Sequence, residues 1–206
     1  MAAGNPIVVV ASDNCGKLAE IGQLLAALEL QVRPQSEFGV TGPPETGSTF
    51  RENALLKVRH ASAATGLPSI ADDSGLEVAA LDCRPGVRSA RFAGESATHE
   101  DNIDRLLEEL RGLPEKARTA NFRCVAVYVE GPDDPAPLIA EGAWHGRILD
   151  LRRGGGGFGY DPVFFDPVFG KTAAEMSSDE KNSVSHRGQA FRDLSQLILQ
   201  RRARHS

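Results

Sequence analysis

Two adjacent carboxylates, Asp72 and Asp73, follow the short apolar run Ser69-Ile70-Ala71 and precede Ser74 and Gly75. Carboxylates at the carboxyl end of a strand are hard oxygen donors. Mg²⁺ typically takes one or two of them and completes its shell with water and substrate phosphate. Neighbouring side chains on extended backbone point to opposite faces, so one aspartate faces the metal while the other shapes the site or handles a proton. An Asp-rich turn that caps its own backbone would give the same string. Glu45, in the turn-rich loop 39–47 (GVTGPPETG), is a further candidate carboxylate. Asn53 and Lys57 are four residues apart and share a helix face, with Phe50 one turn earlier.

Three further segments suit the two ends of a nucleotide. Ser12-Asp13-Asn14-Cys15-Gly16-Lys17 lies between the β-branched run 7–11 and a helical pattern. A buried strand feeding a helix turns backbone N–H groups outward, where they attract anions. Lys17 in the first turn opposes the helix dipole, so its placement hints at a bound phosphate; a solvated lysine beside an ordinary cap is the alternative. The segment is not a P-loop, which needs GxxxxGK[ST]. In the run 154–161 (GGGGFGYD), glycine permits close approach of backbone to a ligand. There Phe158 and Tyr160, flanking Gly159, could stack on a flat base, and Asp161 offers acceptors; a flexible linker gives the same glycines. Ser185-His186-Arg187-Gly188 puts cations in the first turn of a helix, where the dipole favours acids. Their donors suit a carbonyl oxygen or a phosphate, with local ion pairs as the alternative. Together these are the parts of a nucleoside triphosphate site.

The elements that must position them are legible in outline. The run 7–11 lacks polar alternation and reads as a buried strand. Apolar spacing over 17–30 predicts a helix. Thr49-x-x-Glu52 is a capping box for a helix running to about Thr65, stopped by Gly66. Residues 69–71 predict a short strand ending at Asp72, and 98–111 a helix. Residues 122–129 and 138–149 predict a hairpin across GPDDPAP. Pro162 to Phe165 is a short extended piece. Ser177-x-x-Glu180 caps a short helix, and the last helix starts near Ser185. Early strand–helix units followed by a hairpin predict an α/β fold, a mixed twisted sheet flanked by helices, with strand order left open.

Composition bounds the class. The 206 residues are 41% hydrophobic and 25% charged, as in ordinary globular proteins. Twenty-three basic against 28 acidic residues give a net charge of −5, which argues against a general nucleic-acid binder. Cys15, Cys83 and Cys124 are an odd set without CxxC spacing, so neither a disulfide framework nor a zinc site is expected. There is no signal-peptide pattern and no apolar window of about 18 residues, so no membrane span is expected and the cytosol is the default.

The stretches ASDNCGKLAEI (11–21), ETGSTFRENALLKVRHA (45–61), IADDSGLEV (70–78), RPGVRSARFAG (84–94), GGFGYDPVFF (156–165) and KTAAEMSSDEKNSVSHRGQA (171–190) occur in order along nearly the whole chain. In them the sequence strongly resembles the inosine triphosphate pyrophosphatase family, also called dITP/XTP or HAM1-like pyrophosphatases. The resemblance implies Mg²⁺-dependent hydrolysis of deaminated purine nucleoside triphosphates (ITP, dITP, XTP) to monophosphate and pyrophosphate, cleansing the nucleotide pool. It implies one domain over 1–206, elongated and two-lobed with a substrate cleft, and a cytoplasmic homodimer. Carried over by position, Ser12 to Lys17 cradle the triphosphate. Glu45 and Asp73 hold the metal, and Asp73 also accepts a proton, with Lys57 and Asp72 in the catalytic group. Asn53 and Ser74 contact substrate or water. Phe158, Gly159, Tyr160, Asp161, Lys181, His186 and Arg187 form the base pocket. One departure stands out: the family turn is usually Thr-Gly-Asn, whereas here it is Ser12-Asp13-Asn14, placing a carboxylate beside the polyphosphate. A Maf-like pyrophosphatase for other nucleotides, or a nucleotide sensor without turnover, are the competing readings.

Overall fold

The computed structural model describes residues 5–205, the last of these in backbone only. Seven strands form one sheet: β1 (Ile7–Val10), β2 (Gln31–Pro34), β3 (Ser69–Val78), β4 (Thr119–Val129), β5 (Leu138–Ile148), β6 (Phe164–Asp166) and β7 (Lys171–Thr172), in the order β2-β1-β3-β4-β5-β6-β7. β1 is parallel to both β2 and β3, and β6 is antiparallel to both β5 and β7, so the sheet is mixed. Among the described residues, five α-helices accompany it: α1 (Cys15–Leu25), α2 (Phe50–Thr65), α3 (His99–Glu109), α4 (Ser178–Val184) and α5 (His186–His205).

The chain divides into two compact units. The first takes residues up to Asp73, 124–142 and those from Arg187 on; the second takes 74–123 and 143–186. In the first unit the sheet is covered on both faces. Val8 and Val10 of β1 and Cys124, Ala126 and Tyr128 of β4 pack with Ile21 and Leu25 of α1 and Phe191, Leu194 and Ile198 of α5. The alternate residues Val9, Val125, Val127 and Val129 pack with Ala54, Val58 and Ala61 of α2. This double cover is why the first strand reads as an unbroken apolar run. The second unit has one core, in which Leu76 and Val78 of β3, Phe122 of β4 and Trp144 and Ile148 of β5 meet Ile103 and Leu106 of α3 and Leu110, which caps it.

Local chemistry sets the helix ends. Thr49 and Glu52 form the capping box of α2, and Gly66, at φ +68°, closes it. Ser177 and Glu180 do the same for the start of α4. Two expectations are corrected. The helix after the first turn ends at Leu25, passes through a 3₁₀ turn (Ala26–Leu28) and yields to β2. Moreover, β3 does not stop at Asp72 but runs ten residues through both aspartates, because buried cations offset their charge.

Candidate active site

The turn between β1 and α1 is built by its own side chains. Asn14 is the N-cap: its Oδ1 accepts from Lys17 N at 3.0 Å, and its own N donates to Ser12 Oγ at 3.2 Å. Asp13 is exposed, and its Oδ2 accepts from Gln35 Nε2 at 2.8 Å. Gln35 is 2% exposed. Its carbonyl also receives the N–H groups of Gly39 and Val40, where loop 39–47 begins. The carboxylate that departs from the family pattern is therefore fastened to Gln35. Cys15 is exposed as the first residue of α1, and Gly16 follows it half-buried.

Asp72 and Asp73 point to different partners, as alternation along β3 requires. Asp72, 1% exposed, accepts from Lys17 Nζ at 3.0 Å and from Arg187 Nη2 at 3.1 Å, while Arg187 Nη1 donates to Glu20. Burial alone would raise its carboxyl, but Lys17, Arg187 and Lys57 hold it far below the usual carboxylate range. Asp72 thus ties the first turn of α1 to the start of α5 as a permanent anion. The donor fork of Arg187 is used on carboxylates, the ion-pair alternative for that residue.

Asp73 faces α2. Lys57 Nζ donates to Asp73 Oδ1 at 2.6 Å and to Glu45 Oε1 at 3.1 Å. Asn53, fully buried, donates from Nδ2 to Asp73 Oδ2 at 3.3 Å and accepts from Gly47 N at 2.8 Å. Glycine is required at 47, since a Cβ there would lie 2.6 Å from Asn53 Oδ1. This close approach folds the loop so that Glu45 reaches Lys57. Burial pushes the Asp73 carboxyl above its ordinary value and Glu45 adds to the rise, outweighing Lys57 and Lys17. For Lys57, burial acts downward, but Asp73, Asp72 and Glu45 outweigh it and the ammonium is held above its ordinary value. The result is a carboxylate held above its ordinary value beside an ammonium also held above its own.

The donor set fits Mg²⁺. Glu45 and Asp73 already converge on one cationic centre, the lysine ammonium. Among the described residues no three His, Cys, Asp or Glu side chains form a complete cage. Mg²⁺ is typically held by one or two carboxylates, with water and substrate phosphate completing its shell, so a pair of carboxylates suits it without an all-protein cage.

In the second unit the glycine loop is anchored on α4. Asp161, 3% exposed, accepts from Phe158 N at 2.9 Å and from Lys181 Nζ at 2.5 Å. Lys181 is 6% exposed, with its Nζ 5.1 Å from the centre of the Phe158 ring. Gly157, at φ +71°, lets the loop close: a Cβ there would sit 2.0 Å from Asp161 Oδ2. Gly159 N donates to His99 Nδ1 at 3.3 Å. Phe158 is half-buried and can offer a ring face. Tyr160 departs from expectation. It is 4% exposed inside the second core, and its hydroxyl donates to Ser89 O at 2.9 Å. It holds the loop down rather than presenting a face to a base. His186, 4% exposed, opens α5 with its ring stacked on Phe122.

The first unit therefore gathers the phosphate turn, Lys17, Glu45, Asn53, Lys57, Asp72, Asp73 and Arg187. The second gathers Phe158, Gly159, Tyr160, Asp161, Lys181 and His186, and Ser74, half-buried, is its first residue on β3. Sequence reasoning missed Glu20, Gln35 and His99. Glu20 stands three residues after Lys17 on one helix face, a usable signal; nothing local marks Gln35 or His99.

The profile of the Ham1 family matches residues 8–197. A dITP/XTP pyrophosphatase of Erwinia tasmaniensis is 55% identical over 184 residues, 89% of this chain and 90% of that protein. One of Coxiella burnetii is 50% identical over 193 residues, covering 94% and 96%. The solved structure of a HAM1 protein from Coxiella burnetii superposes with a TM-score of 0.86 at 50% identity, over 95% of this chain and 99% of that one.

Proposed function

The chain belongs to the Ham1 family, and from that membership and the geometry above we propose that it hydrolyses deaminated purine nucleoside triphosphates (dITP, XTP and ITP) to the monophosphate and pyrophosphate. The observation that carries the reading is the Lys57–Asp73–Glu45 cluster: a buried carboxylate held by a cation at 2.6 Å and joined by a second carboxylate on the same ammonium. Relatives named dITP/XTP pyrophosphatase at about half identity support the substrate class.

In this reading the N–H groups at the start of α1 and Lys17 bind the triphosphate tail. Glu45 and Asp73 hold Mg²⁺, which supplies charge neutralisation on the phosphate oxygens. Asp73 accepts a proton from water as the water oxygen bonds to the α-phosphorus. The bond from that phosphorus to the α–β bridging oxygen breaks, and pyrophosphate leaves with the electron pair. Lys57 fixes the Asp73 carboxylate and stabilises charge on the departing group. Asp72 acts through Lys17 and Arg187, whose positions it sets.

At the base end Phe158 offers a stacking face. Lys181, His186 and loop N–H groups can donate to an oxygen at C6, whereas the amino group of adenine would leave donors unpaired. Each buried unpaired group costs about 1–3 kcal/mol, so a few together reject ATP strongly. A cytoplasmic homodimer cleansing nucleotide pools completes the proposal.

The test is a panel of ITP, dITP, XTP, ATP, GTP and dTTP with Mg²⁺ or with EDTA. Pyrophosphate release from the first three, lost in EDTA, is the expected result. Binding without turnover, or preference for dTTP, overturns it in favour of the sensor or the Maf-like alternative.

A further inference from the structure

The rings of His186, Phe122 and Trp144 pack as one cluster, each in contact with the other two. The His186 centroid is 4.8 Å from that of Phe122 at an interplanar angle of 13°, and 6.4 Å from that of Trp144 at 18°. Phe122 and Trp144 stack at 6.2 Å and 28°. Phe164 braces both, tilted against Phe122 at 4.5 Å and against Trp144 at 4.9 Å. Trp144 is pinned by a buried polar bond: its Nε1 donates to Asp166 Oδ2 at 2.7 Å. The other oxygen of Asp166 accepts the N–H groups of Val168 and Phe169 at the turn between β6 and β7. The imidazole of His186 thus packs on Phe122 of β4 and, at a longer distance, on Trp144 of β5, which is tied to the turn between β6 and β7.

We infer that Phe122, backed by Trp144 and Asp166, is a positioning residue that sets the plane of the His186 ring and so governs binding of the oxo-purine. The inference rests on the reading of His186 as a base contact. His186 opens α5, and a side chain at a helix start has several open rotamers. Aromatic rings prefer offset-stacked or edge-to-face arrangements over a face-to-face sandwich, so a ring packed on Phe122 is held near the observed tilt, and the β4 and β5 backbones fix Phe122 and Trp144. An imidazole held in one plane presents its N–H along one line. A hydrogen bond aimed in advance costs less ordering on binding. Phe122 itself, 7% exposed and part of the second core, acts only through His186.

The test compares Phe122→Leu, which removes the ring, with Phe122→Tyr, which keeps it. The first readout is the His186 Cε1–H proton resonance in substrate-free protein, which the Phe122 ring current shifts. The second is KM against kcat for dITP. Phe122→Leu is expected to move the resonance and to raise KM by about five- to tenfold, the cost of ordering one side chain, with kcat little changed. Phe122→Tyr is expected to stay near the parent in both. Trp144→Phe, which loses the bond to Asp166 but keeps a ring, should fall between them and serves if Phe122→Leu does not fold. A fall in kcat at constant KM, a shifted resonance with unchanged KM, or identical behaviour of the Leu and Tyr variants overturns the inference. If His186→Ala leaves KM unchanged, the base-contact reading fails by itself, whereas the resonance shift still reports the stacking.

Discussion

Lys57 Nζ lies 2.6 Å from Asp73 Oδ1, with Lys57 8% and Asp73 5% exposed. A lysine on the exposed stripe of a helix would be solvated; this one is drawn in by carboxylates from two elements, Asp73 on β3 and Glu45 in the preceding loop. Taking both charges out of water is costly unless they pair. Removing either partner therefore does more than remove a contact.

Lys57→Met is expected to lower folding stability by about 3–5 kcal/mol, the usual cost of leaving a buried charge without its partner. Asp73→Asn keeps the shape and is expected to lose about 10²-fold or more in kcat, the scale of a general base. Urea unfolding and steady-state kinetics on the two variants separate the effects. Near-normal turnover in Asp73→Asn removes Asp73 from the chemistry.

Asp13 is held by Gln35 at 2.8 Å. Gln35→Ala releases a carboxylate next to the phosphate turn and is expected to raise KM several-fold. Asp13→Gly in the same chain should restore most of that loss, since its target is then gone. A double-mutant cycle measures this directly, and additive effects would show that the bond does not restrain Asp13.

Gly157→Ala puts a Cβ 2.0 Å from Asp161 Oδ2 at a backbone φ of +71°. The strain is worth about 1–3 kcal/mol, and relief requires the loop to pull away from Lys181. The expected outcome is a lower Tm and weaker substrate binding. Gly155→Ala is the control, because nothing lies within 4 Å of a Cβ there.

Cys15 and Cys83 are exposed, whereas Cys124 is buried, its Sγ 3.9 Å from Asp72 Oδ2. Burial and then the Asp72 charge push the Cys124 thiol well above the usual range. Since the thiolate is the reactive form, a thiol titration at mildly alkaline pH should count two fast groups. The third should react only on unfolding. Three fast groups would mean that the β4 core opens readily.

Much of this was legible in the residues. The capping boxes at Thr49 and Ser177 and the gap between Phe122–Val129 and Leu138–Leu149 mark their elements because local chemistry decides them. β2 and β7 were not legible: four and two residues long, they carry no period and exist by pairing with neighbours. The extent of β3 was hidden for a related reason. Asp72 and Asp73 read as the strand's end until Lys17, Arg187 and Lys57 arrive from distant parts of the chain. The candidate site residues were singled out by type and order. What pattern could not reveal was division of labour: Tyr160 as an internal brace, Arg187 on two carboxylates, Asp13 tied to Gln35.

The central claim is that water, its proton taken by Asp73, attacks the α-phosphorus. Hydrolysis of dITP in H₂¹⁸O with Mg²⁺, followed by ³¹P NMR or mass spectrometry of the products, tests it most directly. The account predicts one ¹⁸O in dIMP and none in the pyrophosphate. Label in pyrophosphate, or release of orthophosphate with dIDP, would contradict it.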